Sequence, residues 1–306
     1  MLDILAGDPW KIYDGDCIAH MHDLPRECMD VAMFSPPFPS TFAYTSLVED
    51  IGNSEELQNE VKLHFSFFFK ALRRVMKPGR VVVVHCAQIG RLKRAGEEGL
   101  FDFRGLLIRL AQRAGFIYEY DWLIRKNPQA QAIRTRKWEI KFQGLEADRS
   151  ISRGALPDYL LKFRTPGEIA VKINSKGQVS RNDWIKWAES CWDDIIETDT
   201  LNVAEGRGED DTKHICPLQL EIYRRLILLY TNPDEIVFEP FGGIGSGGFV
   251  CRGGKSPKTK KQLTDQRRYY CCEIKEEYIA ANHRNLARAE EQYTNANEVC
   301  LPGFNL

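Results

Sequence analysis

The stretch FEPFGGIGSGG, Phe238 to Gly248, carries five glycines directly behind the strand-like run EIVF. Between a strand and a helix such a turn lets backbone approach a ligand closely, since no Cβ intervenes and left-handed φ values cost little. Nucleotide phosphates, dinucleotides and the nucleoside of S-adenosylmethionine all use turns of this kind. The glycines alone do not choose among them.

Working outward, strand and helix signals alternate. PLQLEIYRRLILLY before the turn has apolar residues at helical spacing, and RRYYCCEI followed by EEYIAANHRNLARAEE reads as strand and helix. The amino-terminal part has the same rhythm. DVAMF, 30–34, is a short apolar run that Pro36 and Pro37 must end. Residues 55–76 read as a helix, KPGR as a turn and VVVVHC as a buried strand, with FRGLLIRLAQRAGF and YEYDWLIRK as the next helix and strand. This order predicts an α/β fold with a doubly wound, mostly parallel, Rossmann-like sheet.

Between 127 and 213 the rhythm fails, and this span reads as an insertion with its own small core, containing Trp138, Trp184, Trp187 and Trp192. It divides the chain into 1–126, 127–213 and 214–306. From Arg125 to Arg153 there are eight Lys or Arg against three acids, with Trp138 and Phe142 interleaved. Such a stretch is either a solvated face or a contact surface for phosphates. GKSPKTKKQ, 254–262, reads as a flexible basic loop.

Composition narrows the classes. A net charge of −1 excludes a chain that is basic all over, though not a local basic face. There is no run of eighteen apolar residues, and the start MLDILAGDPWKIYDGDC lacks the layout of a signal peptide, so a cytoplasmic location is expected. The nine cysteines form no CxxC pair and no Cys/His zinc spacing, so no metal is expected.

SPPF, Ser35 to Phe38, concentrates chemistry at a strand end. The Ser35 hydroxyl and the Pro36 carbonyl can accept the two hydrogens of an exocyclic amino group, and Phe38 offers a face on which a planar ring stacks. Alone, the same residues also make a Pro-Pro turn.

The motifs gain meaning from their order. DGDC at 14–17, MFSPPF at 33–38, KPGRVVVVHC at 77–86, HICPLQL at 214–220, VFEPFGGIGSGG at 237–248 and YYCCEIKEEYIAANHRNL at 269–286 follow one another along most of the chain. This arrangement resembles the β-class DNA amino-methyltransferases, which methylate adenine N6 or cytosine N4 and carry the SPPF-type motif before the FxGxG motif. The resemblance spans about 1–125 and 214–290. The segments RGALPDYLLKFRTPGE and DTLNV add a likeness to a phage and prophage branch.

The resemblance implies a Rossmann-like methyltransferase sheet in permuted motif order, with S-adenosyl-L-methionine as cofactor and 127–213 as an inserted target-recognition region. Ser35, Pro36, Pro37 and Phe38 would be the catalytic set. Asp16, Cys17, Glu239, Phe241, Gly242, Gly243, Gly245 and Glu273 would bind cofactor, Glu273 through the ribose hydroxyls. DNA would be the partner, met at its phosphates by Arg125, Lys126, Arg134, Arg136 and Lys137. A second copy of the chain and a cognate restriction endonuclease are candidate partners. Glu239 stands where the family often has Asp, and His214 keeps only part of a His-Pro-Thr-Gln-Lys-Pro type motif, which leaves its role between a functional contact and a cap. Ser35 tilts the target toward cytosine N4, with adenine N6 as the alternative. A catalytically inactive DNA-binding module of the same fold is the alternative of another class. No Pro-Cys motif for carbon-5 methylation is present.

Overall fold

The computed structural model describes residues 3–39, 60–91, 99–135, 145–151, 154–174, 177–202 and 217–298. In chain order the strands are β1 (Trp10–Asp14), β2 (Val31–Phe34), β3 (Val81–Ala87), β4 (Ile89–Gly90), β5 (Leu100–Phe101), β6 (Ile117–Ile124), β7 (Asp158–Arg164), β8 (Cys191–Trp192), β9 (Ile236–Glu239) and β10 (Arg268–Glu273). The helices are α1 (Cys17–Asp23), α2 (Glu60–Val75), α3 (Phe103–Arg113), α4 (Pro128–Thr135), α5 (Arg181–Trp187), α6 (Leu220–Tyr230), α7 (Ser246–Cys251) and α8 (Glu276–Glu298).

Eight strands form one sheet in the order β1-β10-β9-β2-β3-β7-β6-β8. Every strand runs the same way except β7, which is antiparallel to both β3 and β6. The doubly wound, mostly parallel α/β fold expected from the sequence is thus the fold observed. Strand side chains alternate between faces, and VVVVHCA makes the point: Val82, Val84 and Cys86 enter one core, Val83 the other. A strand covered on both sides needs an unbroken apolar run. The first core holds α1, α2 and α3, with Phe65, Phe68, Phe69 and Leu72 of α2 fully buried. Each such side chain contributes roughly 1.5–3 kcal/mol on leaving water. The second core holds α6, α7 and α8.

The 127–213 segment differs from expectation. Rather than building its own core, its described part completes the main one. β7 lies between β3 and β6, and Trp187 and Trp192 join the second core, both near Trp122 through the Trp187 carbonyl, which accepts from Trp122 Nε1 at 3.0 Å and Trp192 Nε1 at 3.2 Å. Trp184 is exposed, and Trp138 lies outside the described residues. The basic loop at 254–262 is likewise held in place: Lys255 bridges Gln262, and the Ser256 hydroxyl lies 2.9 and 2.8 Å from the two oxygens of Asp199.

At the amino edge of the sheet, Asp30 ties three strands together. Its Oδ1 meets Lys77 Nζ at 2.6 Å and Arg80 Nη2 at 3.2 Å, ahead of β3. Its Oδ2 accepts the Ile236 N–H of β9 at 3.0 Å. Arg80 also pairs with Glu235 and Lys77 is partly exposed, so Asp30→Ala leaves neither cation stranded and should lower stability by about 1.5–3 kcal/mol in urea denaturation, and Asp30→Asn by less.

Candidate active site

In an open parallel sheet the ligand crevice lies beyond the carboxyl ends of the strands, where neighbouring connections depart to opposite faces. Here β9 leads to α7 on one face, and β2 lies next to helices of the other. Val31 pairs with Val237 and Ala32 with Phe238, so SPPF and the glycine turn emerge from adjacent strands. Phe241 packs between Phe34 and Phe68, at ring distances of 5.8 and 5.1 Å.

The glycines answer to different constraints. A Cβ at Gly245 would lie 2.2 Å from Asn282 Oδ1, at Gly247 2.4 Å from Glu239 Oε2, and at Gly242 2.8 Å from Cys271 Sγ. These three are required by the protein's own packing. At Gly243, where φ is +51°, a Cβ would meet nothing within 4 Å. Its backbone therefore borders open space, as a cofactor cradle requires. Gly243 N–H donates to Glu273 Oε2 at 2.7 Å, while Glu273 Oε1 accepts from Ile274 and Lys275 N–H at 3.0 Å each. Gly15 N–H donates to the Glu273 carbonyl at 2.9 Å, drawing DGDC against the same strand end. Asp16 then caps α1 by accepting from Ile18 and Ala19 N–H at 3.3 and 2.8 Å.

The side chains of two residues expected at the cofactor are buried in the protein. Cys17 turns its side chain into the core, and burial pushes its thiol well above the ordinary range. Glu239 is 2% exposed, beneath the turn, with its oxygens engaged by the hydroxyls of Tyr223 and, at 2.6 Å, Tyr269. Its longer side chain, compared with Asp, reaches the contact position of Gly247, and it supports the turn rather than lining the crevice.

The SPPF strand brings a group that the sequence reading missed. Met33 pairs with Val83 and Phe34 with Val84, so the next residues in register are Ser35 and His85. His85 Nδ1 lies 3.0 Å from Ser35 Oγ, and His85 Nε2 lies 3.0 Å from Asp158 Oδ2 on β7. Lys126 Nζ sits 2.5 Å from the same Asp158 oxygen. Burial would raise the Asp158 carboxyl, but His85 and Lys126 outweigh it and hold it below its ordinary value. Lys126 is thereby committed to an internal ion pair instead of a phosphate, because it shares a sheet face with Asp158. Phe38 is half-buried, its ring 5.7 Å from Phe103.

Arg125 is exposed beyond the end of β6. Arg136, Lys137 and His214 lie outside the described residues, as does the side chain of Arg134 on α4.

A family model described as DNA methylase, of the N6/N4 methyltransferase type, matches residues 29–284. The chain belongs to the N6/N4 DNA methylase family. It is 22% identical over 298 residues to the type II methyltransferase M.PvuII of Proteus hauseri, covering 89% of this chain and 82% of that protein. M.BglII of Bacillus subtilis is 22% identical over 300 residues, covering 93% and 71%. Among solved structures, the cytosine-N4-specific PvuII DNA methyltransferase shares this DNA methylase's fold with a TM-score of 0.61 at 19% identity, covering 94% and 92%. TTHA0409 of Thermus thermophilus, complexed with S-adenosyl-L-methionine, gives 0.63 at 16% identity, covering 91% and 93%.

Burial pushes Glu239 up to about 8, with the Tyr223 and Tyr269 hydrogen bonds opposing. From its ordinary value of 4.5 up to about 8, the unfolded chain has lost this proton while the fold keeps it. Stability therefore falls as pH rises through that window, by at most about 1.4 kcal/mol per pH unit. In Glu239→Gln that loss disappears. Urea denaturation at several pH values should show the variant gaining on the wild type as pH rises toward 8 and no further above it.

Proposed function

We propose that this DNA methylase transfers a methyl group from S-adenosylmethionine to the N4 amino group of a cytosine flipped out of duplex DNA. The observation that carries this reading is the Ser35 hydroxyl, held by His85 one strand away from the glycine turn. A neutral hydroxyl and the Pro36 carbonyl accept the two amino hydrogens and aim the nitrogen lone pair. The flipped base stacks on Phe38, worth about 1–3 kcal/mol against the few kcal/mol of unstacking. Bound S-adenosylmethionine supplies an electrophilic methyl group and departs as a neutral thioether. Gly243 backbone, Glu273, Phe241 and Asp16 would hold it.

Cytosine is favoured over adenine by the hydroxyl at Ser35 and by the cytosine-N4 specificity of the related PvuII enzyme. Arg125, with Arg134, Arg136 and Lys137, supplies phosphate contacts, and the part of 127–213 outside the sheet reads the target site.

Nucleoside mass spectrometry of DNA from cells expressing the chain should find N4-methylcytosine. N6-methyladenine alone would overturn the base choice, and 5-methylcytosine would overturn the mechanism. Ser35→Ala should lower turnover by about tenfold or more while cofactor affinity holds.

The glycines separate cradle from packing. Gly243→Ala should weaken S-adenosylmethionine binding by calorimetry while the fold loses only the roughly 1–2 kcal/mol of left-handed strain in urea denaturation. Gly245→Ala, which collides with Asn282, should melt markedly earlier whether or not cofactor is present.

A further inference from the structure

Ser35, His85, Asp158 and Lys126 form one hydrogen-bonded and ionic chain across four neighbouring strands, and phosphate recognition and base stacking leave its purpose open. We infer that His85 positions Ser35 as an acceptor and takes up, through Ser35, the proton that amino methylation releases. This rests on the amino-methyltransferase reading above.

The direction of the chain follows from Asp158. An ionised carboxylate only accepts, so the His85 nitrogen facing it, Nε2, carries the proton. In the neutral ring Nδ1 is then a bare acceptor, and the Ser35 hydroxyl must donate to it. That donation turns the oxygen's lone pairs outward, toward an incoming N–H. When the amino nitrogen's lone pair forms its bond to the methyl carbon, the carbon–sulfur bond breaks and its electron pair stays on sulfur. The nitrogen is left with one proton in excess. That proton passes to Ser35 Oγ as the Ser35 proton passes to His85 Nδ1, giving an imidazolium opposite Asp158. His85, 12% exposed at its side chain, returns the proton to water afterwards. Lys126 keeps Asp158 ionised between turnovers.

The ionisable groups on the elements packed around His85 are few among the described residues. Asp158 on β7 and Lys126 beyond β6 touch the chain itself. Arg104 of α3 is occupied by Asp121 of β6 at 2.6 Å and lies over the Tyr159 ring. Glu239 on β9 is occupied by Tyr223 and Tyr269.

Two measurements test the inference. In the protein without cofactor, nitrogen-15 NMR of labelled histidine should find Nδ1 of the neutral His85 ring unprotonated, and Asp158→Asn, whose amide can donate to Nε2, should move the proton to Nδ1. With unmethylated plasmid DNA and tritiated S-adenosylmethionine, the single-turnover rate should fall at acid pH as His85 becomes protonated beforehand. His85→Gln, which can accept from Ser35 but cannot take a proton, should lower that rate roughly 100-fold and abolish its acid limb. Cofactor affinity, DNA affinity and melting temperature should stay near wild type. A resting proton on Nδ1 overturns the inference, as does a His85→Gln enzyme that keeps the wild-type acid limb. If the glutamine variant does not fold, Asp158→Asn decides the same point through its rate and pH profile. A wild-type protein that methylates no amino group removes the functional reading itself, and the proton route with it.

Discussion

The pairing of β2 with β9 is the contact on which the crevice depends. Val31 and Ala32 lie against Val237 and Phe238, some two hundred residues along the chain. From these neighbours SPPF and the glycine turn emerge side by side, and Asp30 secures the opposite end by accepting the Ile236 N–H. A slip of one residue would turn every side chain to the other face, sending Ser35 away from His85.

Strand alternation explains the rest of the site. Met33 and Val83 enter the second core, as do Ile124 and Leu160. Two residues away from each, on the same face, stand Ser35, His85, Lys126 and Asp158. The polar chain is therefore the polar end of an otherwise apolar face: Ser35 and His85 follow in register, while Asp158, paired with Ala87 and Ile124, meets His85 and Lys126 diagonally. The glycine turn is fixed from below in the same way, by Glu239 and by Asn282 reaching from α8.

Much of this was legible in the sequence. The β-branched run VVVVHC, the Pro-Pro stop and the glycine turn announced the alternating architecture, because each is a local signal with a local cause. Ser35, Gly243 and Glu273 could be singled out by motif. The burial of the Glu239 and Cys17 side chains was not legible, since nothing local distinguishes a carboxylate or thiol that faces a crevice from one that faces a core. His85 lay within a quoted motif, where a histidine ending an apolar strand was the available signal. Asp158 was hidden because β7 falls within the stretch that lost its rhythm. An antiparallel strand far from its partners along the chain is identified by long-range pairing, which periodicity does not report.

The strand order also bears on how the chain is born. β1 and β2 leave the ribosome some two hundred residues before β9 and β10, which separate them in the sheet. Until then β1 has no neighbour, β2 can pair only with β3, and an open strand edge must wait without joining a wrong partner. Contacts so distant along the chain also slow closure of the sheet. The crevice between SPPF and the glycine turn therefore cannot assemble on a nascent chain before β9 has been made.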